Sequence, residues 1–531
     1  MAKDFYLIAP DAPLPRRGAE EVGNKAWNLM RMARAGLPVP SGFVLPTSWC
    51  RKMRCHDKSL KDTLSSGIRE IEAVSGLGFG SPRRPLLVSV RSGGAVSMPG
   101  MLETVLNIGL NREVVDGLIR LTGNPRLAWD SYRRLVQGYA EVVCQLPVQP
   151  FDQLVENAVA GAAVDHEREL DHRSLRQLAR DMLRLFEELA GFPFPQDPFA
   201  QLTAGAEAVF RSWDAPKAQL YRKSNGIGED GGTAVTVQMM VFGNAGGASG
   251  AGVGFTRDPA TGSPDMYLDF QFNGQGEDVV AGRQSTDDSE RLRLTLPPTW
   301  TQLQEVARRL ESLFRDAQDF EFTLHSGKLF LLQSRTAKRT PWAALRIAVD
   351  LVSEGLIESE DALSRLSALD LGSVSRTRVA NSEGPPLARA TVASIGVASG
   401  AIALDSDAAE RMHRAGIPAI LICQDTLTSD IAGMGSAEGI LTARGARTSH
   451  AAVVARQLGK VCLVACSDLE IDLASRCCRI GARILNEGDA ISLDGNEGAV
   501  YAGTLEVIKE RPERELEIVA GWTSRLVPSV V

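Results

Sequence analysis

The sequence predicts a chain of mixed architecture in two parts, an α+β domain followed by a smaller, compact α/β domain. Three observations carry this. From about 112 to 215 helical periodicity dominates, as in "RLAWDSYRRLVQGYAEVV" and "SLRQLARDMLRLFEELAG". From 233 to 335 the pattern turns to short strands, "TAVTVQMMVFG", "GVGFTRD", "MYLDFQFN" and "DFEFTLHSGKLFLLQSR". After "VANSEGPP", residues 379–386 and the strongest linker signal, short apolar strands alternate with short helices to about 505. At 531 residues the chain is also too long for one core.

The remaining elements follow in order. "AEEVGNKAWNLMRMARAGL" reads as a helix that ends at Gly36, and "PVPSGF" turns the chain into an extended segment. "PLLVSVRSGG", 85–94, reads as a buried strand that ends in a glycine loop. Residues 336–371 read as amphipathic helix, too regular for a loose tether. The tail from Thr504 reads as a last helix and a frayed end.

Composition excludes several classes. The chain is 44% apolar and 23% charged, as ordinary globular proteins are. A net charge of −7 disfavours non-specific nucleic-acid binding, which needs a basic field. No apolar run is long enough to span a membrane, and "MAKDFYLIAPDAPLPRR" lacks a signal-peptide pattern. A cytoplasmic protein with no nucleic-acid or membrane partner is the expectation. The eight cysteines read as free thiols, because their spacings make no zinc framework. Cys462 and Cys466 sit in an apolar run and read as buried.

The hairpin "DFEFTLHSGKLFLLQSR" holds the most legible chemistry. Side chains two apart on a strand share a face, so Asp319 and Glu321 point together, with "HSG" as the turn. Gln333 and Arg335 share a face at the far end of the return strand. Paired carboxylates can hold Mg²⁺ together with substrate phosphates, and an arginine opposite them can neutralise those phosphates. The same spacing fits a solvated strand face with a cross-strand ion pair. "SVRSGGAVSMPG" could cradle phosphate, with Arg91 at the strand end, but it is not a Walker loop. Residues 242–258 hold six glycines and, taken alone, read as a hairpin tip. Lys25, beside a glycine in "VGNKAWN", reads on its own as a surface lysine.

The chain has six histidines, and His450 stands among small residues in "ARGARTSHAAVVARQLGK". Thr448 or Ser449 suits an N-cap and Gly459 a stop, so His450 falls in the first turn of a short helix. The helix dipole there favours a neutral, nucleophilic imidazole. Arg444, Arg447 and Arg456 could meet negative charge. The other reading is a capping histidine with no chemistry.

Together these stretches resemble the pyruvate, phosphate dikinase family of phosphoenolpyruvate-utilising enzymes. "NKAWNLMRMARAGLPVPSGFVL", "LLVSVRSGGAVSMPGMLETVLNIGLN", "GTAVTVQMMVFGN", "GVGFTRDPATG", "NGQGEDVVAG", "QDFEFTLHSGKLFLLQSRTAKR", "EGILTARGARTSHAAVVAR" and "NEGAVYAG" occur in family order. The resemblance implies an ATP-grasp nucleotide-binding domain over 1–340 and a helical connector and linker over 341–386. A swivelling phosphohistidine α/β domain over 387–508 and a C-terminal helix and tail over 509–531 complete it.

Residue by residue, the resemblance makes His450 the phosphorylated histidine, with Arg91 and Arg335 assisting catalysis. Lys25 and Arg91 would hold the triphosphate. Asp319 and Glu321 would ligate Mg²⁺, and Gln333 and Arg335 would complete the phosphate side. Gln238 to Val241 would line the adenine pocket, Glu277 would be a further nucleotide contact, and Thr448 matches a threonine modified in some members. Two local departures stand out. "VGNKAWN" replaces the usual glycine-glycine-lysine-glycine, and Arg447 replaces a methionine. A C-terminal (β/α)₈ barrel that the family uses for pyruvate does not follow "AGWTSRLVP".

The implied function is ATP-dependent phosphotransfer. The β-phosphoryl would move through pyrophospho- and phosphohistidine at His450 to an acceptor, with AMP and pyrophosphate released. The implied partners are ATP, Mg²⁺, inorganic phosphate and an unknown acceptor, which a separate barrel polypeptide could present. The alternatives are a phosphotransferase recruited to a non-pyruvate small molecule, or a catalytically silent nucleotide-binding regulator.

Overall fold

A computed structural model gives the fold. It describes every residue except 1–3, 55–58, 97, 99–102, 165, 230, 276–286, 381–383, 427–429, 446–448 and 527–531, and the side chains at 53, 54, 287, 288, 450, 451, 525 and 526 also lie outside it. The chain forms two compact units, Met1–Ser249 with Thr323–Ser334, and Gly250–Phe322 with Arg335–Val531.

The first unit is built on a five-stranded sheet in the order Tyr6–Ile8, Gly42–Leu45, Ala234–Met239, Val88–Gly93, Thr104–Ile108. All its pairings are antiparallel. Alternation sorts the side chains into two faces. Val88, Val90, Val235 and Val237 join the apolar core, to which the helices between 112 and 212 contribute Tyr132, Tyr139, Phe186 and Phe210. Ser89, Arg91, Thr236 and Gln238 share the other face, since Arg91 pairs with Thr236 and Ser89 with Gln238.

The predicted N-terminal helix runs Ala19–Arg34 but breaks at Gly23, where φ is 77°. A Cβ at Gly23 would lie 2.3 Å from the Gly93 carbonyl oxygen, so only glycine fits this approach. The Asn24 backbone N–H donates to Gly94 O at 3.0 Å, and Asn24 Nδ2 donates to Ala95 O at 2.6 Å. The segment that carries Lys25 is thereby fixed to the loop that follows Arg91.

In the second unit Gly250–Phe255 and Tyr267–Phe272 pair antiparallel. The glycines of the first of these strands have a packing cause. A Cβ at Gly252 would come within 2.4 Å of Phe322 Cζ, and one at Gly254 within 2.4 Å of Phe320 Cζ. Half of the glycine run read as a hairpin tip is therefore a strand, cleared for phenylalanine rings, while Gly246 (φ 86°) and Gly247 (φ 56°) make the turn before it.

The stretch 336–371 is two helices, Pro341–Ser353 and Ser359–Leu366, separated at Gly355 with φ 71°. They share a core with Phe255, Val374 and Val519, joined by Leu516 and Trp522 of the last helix, Glu513–Leu526. The tail also holds an unforeseen strand, Val507–Glu510, antiparallel to Arg376–Val379. Arg376 stacks over Trp342 at 4.5 Å and bridges Glu510 at 2.9 Å, tying that ribbon to the connector helices. Of the predicted linker, residues 381–383 lie outside the described residues.

An eight-stranded sheet closes the second unit. Its centre, Val397–Ala403, Ala419–Cys423, Gly439–Thr442 and Val461–Val464, is parallel, with antiparallel strands on both sides. The helices Ser406–Arg414, Ile431–Ser436 and His450–Leu458 cover one face through alanines such as Ala408, Ala452 and Ala455. The other face packs Ile420, Ile422, Leu441 and Leu463 against the small antiparallel sheet of Leu469–Asp472, Cys477–Ile480 and Arg483–Asn486.

Candidate functional site

His450 opens its helix at the carboxyl end of the parallel strand Gly439–Thr442. The loop between them turns at Gly445, whose φ of 120° favours glycine. Ser449 is the N-cap, its Oγ accepting the Ala452 N–H at 3.4 Å, and Gly459 ends the helix in the left-handed region at φ 65°. The sequence therefore located both ends. The buried Ala452 and Ala455 let this helix sit close to its sheet, and ligands commonly bind beyond the carboxyl ends of such strands. Thr448 and Arg447 lie outside the described residues. Arg444 is exposed, but Arg456 is not a free cation. It is 2% exposed, its Nη1 donates to Ala393 O at 3.0 Å, and its guanidinium lies 5.5 Å from the Phe255 ring centre.

In the same unit the predicted carboxylate–arginine pair is formed. Arg335 Nε donates to Asp319 Oδ2 at 2.8 Å. Asp319 is 4% exposed, so this is no solvated strand face. Burial pushes its carboxyl above the usual range even though Arg335 pulls it down. Asp319 Oδ1 is buried and has no hydrogen-bond partner among the described residues. An oxygen in that state, with Glu321 two residues along and half-buried, suits a hard divalent cation that takes its remaining ligands from phosphate and water. Burial also lowers the Arg456 guanidinium, and Cys462, Asp319 and Asp258 act against that shift. Arg456, two turns along the His450 helix, and the Asp319 carboxylate thus act on each other electrostatically.

The first unit holds the other predicted residues. Arg91 Nε and Thr236 Oγ1, neighbours across two strands, are both buried without partners among the described residues. Such a pair fits an incoming anion. Lys25 is half-buried two residues after the Gly23 break, and Gln333 is half-buried on its strand. Gln238 is spent within the fold, since its Nε2 donates to Pro40 O at 3.0 Å, and Val241 is buried. Their neighbours Met239, Met240 and Phe242 instead line a cavity of about 370 Å³, together with Leu87, Leu118 and His325. Glu277 lies outside the described residues.

Sequence reasoning missed two charged clusters. Arg257, at the end of the Gly250–Phe255 strand, makes a forked pair with Glu311, 2.9 Å at both contacts, and reaches Glu354 at 2.6 Å. It joins the strand end to the helix Pro297–Phe314 and to the end of the first connector helix. Asp130 binds Arg133 Nη2 at 2.7 Å and accepts from Asn244 Nδ2 at 3.3 Å, which anchors the loop after the cavity strand. Arg133 and Arg134 hold the Asp130 carboxyl below its usual range against a strong opposing effect of burial. "TRDP" was the only local signal for either cluster.

The first unit thus holds a polar sheet face and an apolar cavity, and the second holds both the helix that begins at His450 and the Asp319–Arg335 pair. Comparison with known proteins supplies the class. The family described as pyruvate phosphate dikinase, AMP/ATP-binding domain, matches residues 54–300, and the PEP-utilising enzyme, mobile domain, matches 417–498. The pyruvate, phosphate dikinase of Clostridium symbiosum is 41% identical over 512 residues, covering 95% of this chain and 59% of that protein. That of Rhizobium meliloti is 38% identical, covering 98% and 60%, and the chloroplastic one of Flaveria pringlei is 40% identical, covering 95% and 54%. The chain belongs to the pyruvate, phosphate dikinase family of PEP-utilising enzymes and spans a little over half the length of these relatives. Among the described residues no helix is long and apolar enough to cross a membrane.

Proposed function

We propose that this chain carries out the ATP-consuming part of a dikinase-type phosphotransfer. An imidazole nitrogen of His450 attacks the β-phosphorus of ATP. An N–P bond forms as the bond from that phosphorus to the α–β bridging oxygen breaks, and AMP leaves. Inorganic phosphate then takes the outer phosphoryl group as pyrophosphate, which leaves one phosphoryl on His450 for an acceptor. Splitting one transfer into covalent steps lowers each barrier.

Lys25, Arg91, Gln333 and Arg335 would bind the phosphates, and Met239 and Met240, between Gln238 and Val241, would face the nucleoside side with Glu277 as a further contact. Asp319 and Glu321 would hold Mg²⁺, which when bound supplies charge neutralisation at the phosphates. The segment 341–386 would be the connector on which 387–508 turns between donor and acceptor. The acceptor would be pyruvate or another small molecule, presented by a barrel on this or a separate polypeptide.

The observation that carries the reading is His450 at the start of a capped helix, in the same unit as the Asp319–Arg335 pair. A helix N-terminus favours negative charge, which suits a phosphoryl group carried there. The test is AMP release from ATP in the presence of Mg²⁺ and phosphate by the chain and its His450→Asn variant. The reading expects AMP from the first and none from the second, with ATP still bound by both. AMP release that survives the substitution would move the nucleophile elsewhere.

A further inference from the structure

The cavity in the first unit is walled by Leu77, Leu87, Leu118, Met239, Met240 and Phe242, so its lining is mostly apolar. Its volume, about 370 Å³, falls in the range of small-molecule sites, where a few polar groups set orientation. Three polar side chains reach it, those of Thr122, His325 and Ser326. The Thr122 hydroxyl is spent, since it donates to Leu118 O at 2.7 Å and accepts from Asn124 N at 3.2 Å. Ser326 is exposed at the hairpin turn, with φ 51°. That leaves His325. Its ring stands edge-on to Phe242, with centroids 5.8 Å apart and planes at 83°, and makes no hydrogen bond among the described residues.

We propose that His325 is the base-contacting, specificity-determining side chain of this cavity, pairing with the hydrogen-bonding edge of a purine-like heteroaromatic ring. This rests on the nucleotide reading above and names the residue that reads the base. A neutral imidazole carries one donor and one acceptor nitrogen, and so matches the donor–acceptor edge of such a ring. Flat rings also suit walls of methionine and phenylalanine. Burial, and then Lys328, depress the imidazole below its ordinary 6.5 and hold it neutral at pH 7. Lys328 is the charge that acts on it. Although the helix Arg112–Thr122 carries Arg112, Glu113, Asp116 and Arg120 and the segment before Leu87 carries Arg83 and Arg84, none of these lines the cavity. A ring paired edge to edge with the imidazole desolvates it further. Base binding and protonation therefore oppose each other.

The test is equilibrium binding of ATP and of inorganic tripolyphosphate, which has no base, to the chain and to its His325→Leu and His325→Gln variants. One lost hydrogen bond predicts about tenfold weaker ATP binding for His325→Leu, unchanged tripolyphosphate binding, and recovery in His325→Gln. As pH falls through the imidazole titration, ATP affinity should drop in the parent chain and not in His325→Gln. Equal ATP affinity in His325→Leu would overturn this role alone. Equal losses for both ligands would overturn it too, because the residue would then act on the fold or the phosphates. Failure of the parent chain to bind ATP would instead remove the nucleotide reading beneath it.

Discussion

At the scale of single residues, buried charges and thiols make the sharpest statements. Glu311 is 8% exposed and holds Arg257 by a fork, and breaking such a buried pair leaves a charge uncompensated. Glu311→Leu should cost about 3–5 kcal/mol in denaturant unfolding. A loss below about 1 kcal/mol would mean Glu354 alone satisfies the arginine. Burial raises the Cys462 thiol from 9.0 to about 12. The native state then keeps a proton that the unfolded chain releases, so stability should be full below pH 9 and fall as pH rises toward about 12. Urea unfolding of the chain and of Cys462→Ala across that window checks the sign. The substitution should flatten the decline. Residue spacing sufficed to pair Asp319 with Arg335, because strand periodicity fixes faces locally. It could not find Arg257 with Glu311 or His325 with Phe242, since those partners meet only through tertiary packing.

At the scale of elements, glycines decide what each segment can be. Gly254 lies in a strand where any Cβ would meet Phe320. Gly254→Ala should therefore destabilise the second unit by about 1–3 kcal/mol, and Phe320→Leu in the same chain should restore part of it. Thermal melts of the single and double variants give the comparison, and additive losses would contradict the packing explanation. Most helices and strands were legible, because period and punctuation are local signals. The break at Gly23 was not, since its cause is the close approach of Gly93. Nor was the ribbon of Val507–Glu510 with Arg376–Val379, which pairs two segments far apart in the chain. Taken alone the glycines of 242–258 read as a hairpin tip, although "GVGFTRD" within that run already read as a strand, because the rings that Gly252 and Gly254 make room for, Phe322 and Phe320, lie nearly seventy residues on.

At the scale of the whole molecule, the chain distributes its chemistry over two units. One carries an apolar cavity beside a polar sheet face with unpartnered Arg91 and Thr236 atoms. The other carries the carboxylate pair and the His450 helix tip. The mixed helix-and-sheet architecture and the start of the helix at His450 could be read from sequence because each depends on patterns of a few tens of residues, whereas the two compact units, which take 250–322 with the later residues, follow from long-range packing. The account's central claim is a covalent phosphoryl carrier at residue 450. Mass spectrometry of the peptide spanning 444–456, after the chain is exposed to ATP, Mg²⁺ and phosphate and kept alkaline, tests it most directly. The account predicts a phosphoryl group on the imidazole, absent in His450→Asn. An unmodified peptide from a chain that demonstrably binds ATP would contradict it.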